Sequence, residues 1–137
     1  MQISDYAKAF IWVPYIYGGN NPIVGMDCSG LVCECLKAVG ILSSHEDFTA
    51  RGLLEHLVNI GYPIYEKPQA EFILFFGGSI NKISHVGIAI DDKLMIESGG
   101  GDSLTVTIDA AKKSNAFVRI RPIRKDLIVV VRLEKKV

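Results

Sequence analysis

Three residues have the types and surroundings for acyl-transfer chemistry. Cys28 stands in the run Asp27-Cys28-Ser29-Gly30, at the front of a segment with helical spacing. Only a thiolate attacks a carbonyl well, and the free N–H groups and dipole at a helix start favour that anion. Gly30 leaves room for a substrate backbone to approach, and first-turn N–H groups can hold an oxyanion. His85 opens the run SHVGIAI, where a strand would fix the direction of its imidazole. It suits the base that takes the thiol proton and returns it to the leaving group. Glu97 lies twelve positions on (97 minus 85), across a turn at Asp91-Asp92. Pairing centred on that turn sets 85 near 98 and 86 near 97, with the register open. A carboxylate there would fix the imidazole tautomer and stabilise imidazolium. Taken singly, each has a blander account: a buried thiol, a hydrogen-bonded core histidine, a solvent-facing strand end.

The elements that must position these groups read as helices first and strands after. Ser4 caps a first helix running to about Trp12, a core residue, and Pro14 closes it. PYIYGGNNP is turn chemistry. Leu31, Val32, Cys35, Leu36 and Val39 recur at helical spacing, with Asp27 at the N-cap and Gly40 just past the end. A third helix runs from Thr49 to Ile60 on the stripe Leu53, Leu54, Leu57 and Val58, and Gly61 stops it. Strands are expected at Phe72–Phe76, His85–Ile90, Leu94–Glu97, Leu104–Ile108, Phe117–Ile120 and Ile128–Leu133. Helices followed by turn-linked strands predict an α+β fold, with N-terminal helices packed on a central antiparallel sheet.

The segments PYIYGG and GMDCSGLV together resemble the NlpC family of cell-wall cysteine peptidases, whose pattern is P-Y-x-x-G-G followed by D-C-S-G. SHVGIAIDDKLMIES is similar to that family's second block, and ILFFGG to the strand before it. The resemblance spans Tyr6 to Gly100. It implies a circularly rearranged papain-like fold in which Cys28 is the nucleophile and His85 the base and then the acid. Glu97 takes the orienting position. Tyr15 matches the tyrosine beside the nucleophile that supports the site or the acyl oxygen, and Asp27 and Ser29 match residues lining the stem-peptide pocket. The implied substrate is peptidoglycan, at a γ-D-glutamyl bond to diaminopimelate or lysine. Two departures stand out. The family's third residue is usually histidine, sometimes Asn or Gln, and Glu71-Phe72 replaces a frequent Gly-Asp. Two other readings share these residues: a cysteine amidase or acyltransferase on a non-wall substrate, and a non-catalytic phage structural module.

Composition narrows the field further. Fifteen basic and 15 acidic residues in 137 give no net charge, which speaks against a nucleic-acid binder or an electrostatic membrane anchor. No apolar run reaches the ~18 residues of a membrane span. The length suits one domain over 1–137. Cys28, Cys33 and Cys35 have neither a disulfide count nor a zinc-ligand spacing, so no metal and no cofactor is expected. The first residues lack a signal-peptide pattern. The expected course is synthesis in the cytoplasm and action on the wall after lysis, phage delivery or non-classical export. The chain is expected to be a monomer, alone or within a phage or secretion assembly. His45 and His56 read as solvated, Gly99–Gly101 as a loop bordering the cleft, and Arg119, Arg121 and Arg124 as a solvated strand face.

Overall fold

The computed structural model describes residues 2–135. The fold is α+β, as the pattern of elements predicts. Helix α1 (Ile3–Lys8) is followed by a small hairpin, β1 (Asn20–Asn21) and β2 (Gly25–Met26), then helices α2 (Cys28–Ala38) and α3 (Ala50–Asn59). The remaining elements are β3 (Ile64–Tyr65), β4 (Ile73–Gly77), β5 (Ile83–Ala89), β6 (Leu94–Gly99), α4 (Ile108–Ser114), β7 (Phe117–Pro122) and β8 (Leu127–Val131). Six strands form one antiparallel sheet in the order β3-β8-β4-β5-β6-β7.

Local chemistry explains both long helices. Asp27 caps α2 by accepting the Gly30 N–H at 2.7 Å, and Thr49 caps α3 by accepting the Gly52 N–H at 3.1 Å. Both end where a glycine takes the left-handed region, Gly40 at φ +81° and Gly61 at φ +104°. The apolar stripes of α1, α2 and α3 bury one sheet face through Ile83, Val86, Ile88, Ile96 and Val118. Val58 lies at the edge of its stripe and is exposed. The opposite sheet face carries a smaller cluster of Phe72, Leu74, Phe76, Ala89, Met95 and Val130.

Three expectations are corrected. Ser4 does not cap α1; it sits inside the helix. Its N–H and hydroxyl both bind the Glu71 carboxylate, at 2.9 and 2.6 Å, so this helix start is closed from the sheet side. Trp12 is exposed rather than core and packs in a tilted arrangement on Phe117 with centroids 4.6 Å apart. The chain there runs along the outer edge of β7, with Trp12 N–H bonding Val118 C=O and Val118 N–H bonding Val13 C=O. Residues 104–108 form no strand. Leu104, Val106 and Ile108 are exposed, Thr105 is buried, and Thr107 caps α4 by accepting the Ala110 N–H at 3.0 Å.

Candidate active site

The Asp27-Cys28-Ser29-Gly30 run is folded against the Gly18-Gly19 turn. Asp27 N–H donates to Gly19 C=O at 3.0 Å, and Gly18 N–H donates back to the Asp27 carboxylate at 3.1 Å. A Cβ at position 30 would lie 2.3 Å from the Gly19 oxygen. Gly30 therefore admits the chain's own carbonyl, not a substrate backbone, and the two glycine motifs are one interlocked unit. This unit fixes where α2 begins, and so where the Cys28 thiol points.

His85 and Glu97 are brought together by the register of β5 and β6. The pairs Ile88↔Ile96 and Ala89↔Met95, extended by one step, set Gly87 opposite Glu97. The register is one residue away from a pairing of 85 with 98. The difference decides the geometry, because a one-residue slip moves a side chain to the other face. In the observed register His85, Gly87 and Glu97 share the face away from the helices. Gly87 has no side chain to fill the gap, so Glu97 leans across to the imidazole. Glu97 Oε1 meets His85 Nε2 at 2.6 Å. Both groups are buried, Glu97 almost completely. Phe76, the cross-strand partner of His85 on β4, lies beneath the imidazole with ring centroids 5.6 Å apart.

The second oxygen of Glu97 faces β7. Arg119, its direct cross-strand partner, donates through Nε at 3.2 Å, and Arg121 Nη1 lies at 3.7 Å. These arginines are not a solvated strand face: the pairing of β6 with β7 puts them on the side that carries His85. Burial alone would raise the Glu97 carboxyl. The His85 hydrogen bond and charge, then Arg119 and Arg121, reverse this and hold it below the ordinary carboxylate range. Glu97 is thus an anion at neutral pH.

Cys28, His85 and Glu97 open into one cleft of about 510 Å³, with Tyr15, Tyr17, Gly99–Gly101, Asp102, Arg119, Arg121 and Arg124 also on its walls. The ladder between β5 and β6 stops at Ile88↔Ile96, and beyond it the backbone N–H of Val86 is near enough to Cys28 to favour its thiolate. Burial first, and the Asp27 charge second, push the thiol up to about 11, against the pull of the Val86 and Ser29 N–H groups. The helix start therefore does not hold a resting thiolate. Its cap is itself an anion, and the thiol stays protonated at neutral pH until a base takes the proton. His85 Nε2 is engaged with Glu97, so Nδ1 is the ring atom left for that exchange.

The other expected site residues divide. Tyr15 lies in the cleft, its ring packed so closely on Gly101 that a Cβ there would come within 2.3 Å of it. Burial, then the neighbouring Cys28, raises its hydroxyl to about 12, so it is a neutral donor. Asp27 and Ser29 are not on the cleft wall. Asp27 is spent on capping, and the Ser29 hydroxyl donates to it at 3.2 Å. Burial raises the Asp27 carboxyl. One contributor carries no sequence signal: the buried Ser98 hydroxyl donates to Met26 C=O at 2.6 Å and ties the strand of Glu97 to the start of α2. No group of three or more His, Cys, Asp or Glu side chains that could hold a metal ion occurs among the described residues. Cys33 and Cys35 are buried away from the cleft, with thiols pushed up to about 12 by burial. His56 is half-buried rather than solvated. It stacks on Phe48 at 4.5 Å and pairs with Glu46 at 3.2 Å.

The pattern of the NlpC/P60 family matches residues 12–121. The chain belongs to the NlpC/P60 family. It is 32% identical over 108 residues (77% of this chain) to the gamma-DL-glutamyl hydrolase of Bacillus subtilis. It is also 32% identical over 87 residues (62%) to the bifunctional muramidase/DL-endopeptidase CwlT of the same organism. The chain spans about a quarter of the length of these relatives, 24% and 25%. Among solved structures, the NlpC/p60 domain of the peptidoglycan hydrolase SagA superposes with a TM-score of 0.64 at 20% identity, covering 96% of both chains. An NlpC/P60 family protein from Bacillus cereus superposes with a TM-score of 0.68 at 22% identity, covering 96% of this chain and 39% of that one. At these identities the superpositions establish the NlpC/P60 fold.

Proposed function

We propose that this NlpC/P60 protein is a cysteine peptidase that hydrolyses peptidoglycan stem peptides at a γ-D-glutamyl bond to diaminopimelate or lysine. The observation that carries this reading is the buried His85–Glu97 pair at 2.6 Å, opening with the Cys28 thiol into one cleft. Its relatives named as a DL-endopeptidase and a gamma-DL-glutamyl hydrolase support the choice of bond. In the proposed reaction His85 Nδ1 takes the thiol proton as Cys28 sulfur attacks the γ-carbonyl carbon. Glu97 stabilises the imidazolium. The tetrahedral oxyanion collapses, the C–N bond breaks, and the imidazolium gives its proton to the leaving amine. Water, activated by the same imidazole, then hydrolyses the thioester and restores the thiol. The raised Cys28 thiol suits this sequence, because the imidazole takes the proton as the sulfur attacks an electrophile.

The test is incubation with purified peptidoglycan and mass spectrometry of the soluble products. Fragments ending at one γ-D-glutamyl bond, absent with Cys28→Ala, are expected. Wall preparations of both peptide types left intact by the wild-type protein would refute the reading, and acylation of Cys28 by a small thioester would then favour the amidase or acyltransferase alternative.

A further inference from the structure

The sheet face that carries His85 holds more positive charge than its one carboxylate balances. Arg119 and Arg121 both address a single oxygen, Glu97 Oε2. Only Arg119 hydrogen-bonds it, through Nε. Arg121, at 3.7 Å, makes no hydrogen bond among the described residues, and its side chain is 40% exposed. A guanidinium has five N–H donors and no acceptor, so most of the donors of this pair are unused. Arg124 differs: its fork grips Asp126 at 3.0 and 2.7 Å and is spent. When His85 accepts the thiol proton, Glu97 faces three cations. The other carboxylate on the cleft wall, Asp102, is engaged by the Leu104 N–H at 2.9 Å and the Thr105 hydroxyl at 3.4 Å. A second anion is called for, and the described residues do not supply it.

The position of this charge says which part of a substrate would meet it. The imidazole returns its proton to the leaving amine, so the residue bearing that amine lies on the imidazole's side of the scissile bond. The arginines stand on that side, beyond Glu97. Gly99 and Gly100 keep the approach open: a Cβ at these positions would come within 3.4 Å of Arg119 Nη2 and 3.2 Å of Arg119 Nη1. We infer that Arg121, with the free Nη atoms of Arg119, forms a subsite for a side-chain carboxylate on the leaving residue. Resting on the proposed reaction, this assigns the substrate class: a γ-D-glutamyl bond to a diamino acid whose side chain ends in a carboxylate, as in diaminopimelate. A lysine in its place would bring only an ammonium group toward two guanidiniums.

The experiment compares three synthetic L-alanyl-γ-D-glutamyl tripeptides with amidated C-termini and the full chain as enzyme. The third residue is diaminopimelate, diaminopimelate with its side-chain carboxylate converted to carboxamide, or lysine. Removing a charge-assisted hydrogen bond without replacing it predicts kcat/KM about 10- to 100-fold lower for the carboxamide, and lower still for lysine. Arg121→Gln should bring the carboxylate-to-carboxamide ratio close to one, and Arg121→Lys should restore part of it. Equal turnover of the first two peptides by the wild-type protein overturns the inference and leaves the proposed reaction standing. An Arg121→Gln variant slowed equally on all peptides also overturns it, by giving Arg121 a structural role. If none of the three is cut, the proposed reaction itself fails.

Discussion

Replacing Glu97 with glutamine tests whether tautomer or charge governs His85. Glutamine keeps the shape of the side chain, so the backbone register is retained. Loss of charge alone has a limited effect. A hydrogen bond to a charged group contributes about 1.5–3 kcal/mol against 0.5–1.5 for a neutral one, and the difference of about 1–2 kcal/mol is roughly 5- to 30-fold in rate. The surroundings add a larger effect. The oxygen facing β7 is met by Arg119 Nε at 3.2 Å and by Arg121 Nη1 at 3.7 Å, both pure donors. The amide must therefore turn its oxygen to the arginines and its NH2 to His85. Nε2 then has to accept, the ring proton moves to Nδ1, and Nδ1 can no longer take the thiol proton. Forcing the wrong tautomer costs about 10⁴-fold in a serine triad, and a loss of that order is expected in kcat/KM on a γ-D-glutamyl peptide. The same variant reports on stability. The Glu97 carboxyl is depressed from its ordinary 4.5, so its contribution is fully present above that value and is lost as pH falls through the lower folded value. Urea unfolding should show wild type ahead of Glu97→Gln at pH 7, with the gap closing below about pH 4. A variant within 30-fold of wild type would refute the tautomer argument and leave charge as the whole effect.

Three further outcomes follow from the same geometry. In His85→Ala, iodoacetamide should modify Cys28 slowly at pH 7 and faster only as the pH approaches the thiol's raised value of about 11, whereas wild type reacts at neutral pH; equal pH profiles would mean that the imidazole does not serve the thiol. Gly30→Ala places a Cβ 2.3 Å from the Gly19 oxygen, a backbone atom that cannot step aside. The expected destabilisation in urea is about 1–3 kcal/mol, and the Cys28 modification rate should change with it. Ser98→Ala leaves the Met26 carbonyl without its 2.6 Å partner, at an expected cost of about 1–3 kcal/mol; unchanged stability would show that water replaces the hydroxyl.

What could be read in the sequence was whatever local chemistry decides. Asp27, Thr49, Gly40 and Gly61 mark helix ends because caps and left-handed glycines act within a few residues of themselves. The α+β class followed from spacing alone, and the family from two short blocks. The misreadings occur where distant chain decides. Ser4 looked like a cap, but its cap is Glu71, which adopts φ +74° to reach it, the region that favours glycine. The family's frequent Gly-Asp is replaced by Glu71-Phe72 at this point, so the departure has a structural account. Leu104, Val106 and Ile108 alternate like a strand, yet they pair with no strand among the described residues, and Tyr17 N–H holds the Thr105 carbonyl instead. Arg119 and Arg121 looked solvated because nothing in FVRIRP says which face of the sheet carries the histidine. Their partner is set by the pairing of β6 with β7, segments distant in the chain, with Arg119 and Glu97 22 residues apart.

The division of the site between two layers explains why ordinary-looking residues matter to it. Cys28 belongs to the helical layer, and His85 and Glu97 to the sheet. A displacement of about 1 Å between reacting groups can reduce rate about a hundredfold. Packing of apolar stripes tolerates shifts of that size, since it has little direction. Hydrogen bonds do not. Ser98 Oγ to Met26 C=O joins the residue after Glu97 to the second residue before Cys28. Asp27 to Gly18 and Gly19 fixes the intervening turn. Each tie spans the two layers or fixes the turn between them within one or two residues of a reacting group. The spacing of thiol and imidazole is thus set by directional bonds to main-chain atoms, not by the side chains of the reacting groups. Substitutions at Gly30 and Ser98 should therefore lower the rate by more than their cost in stability accounts for.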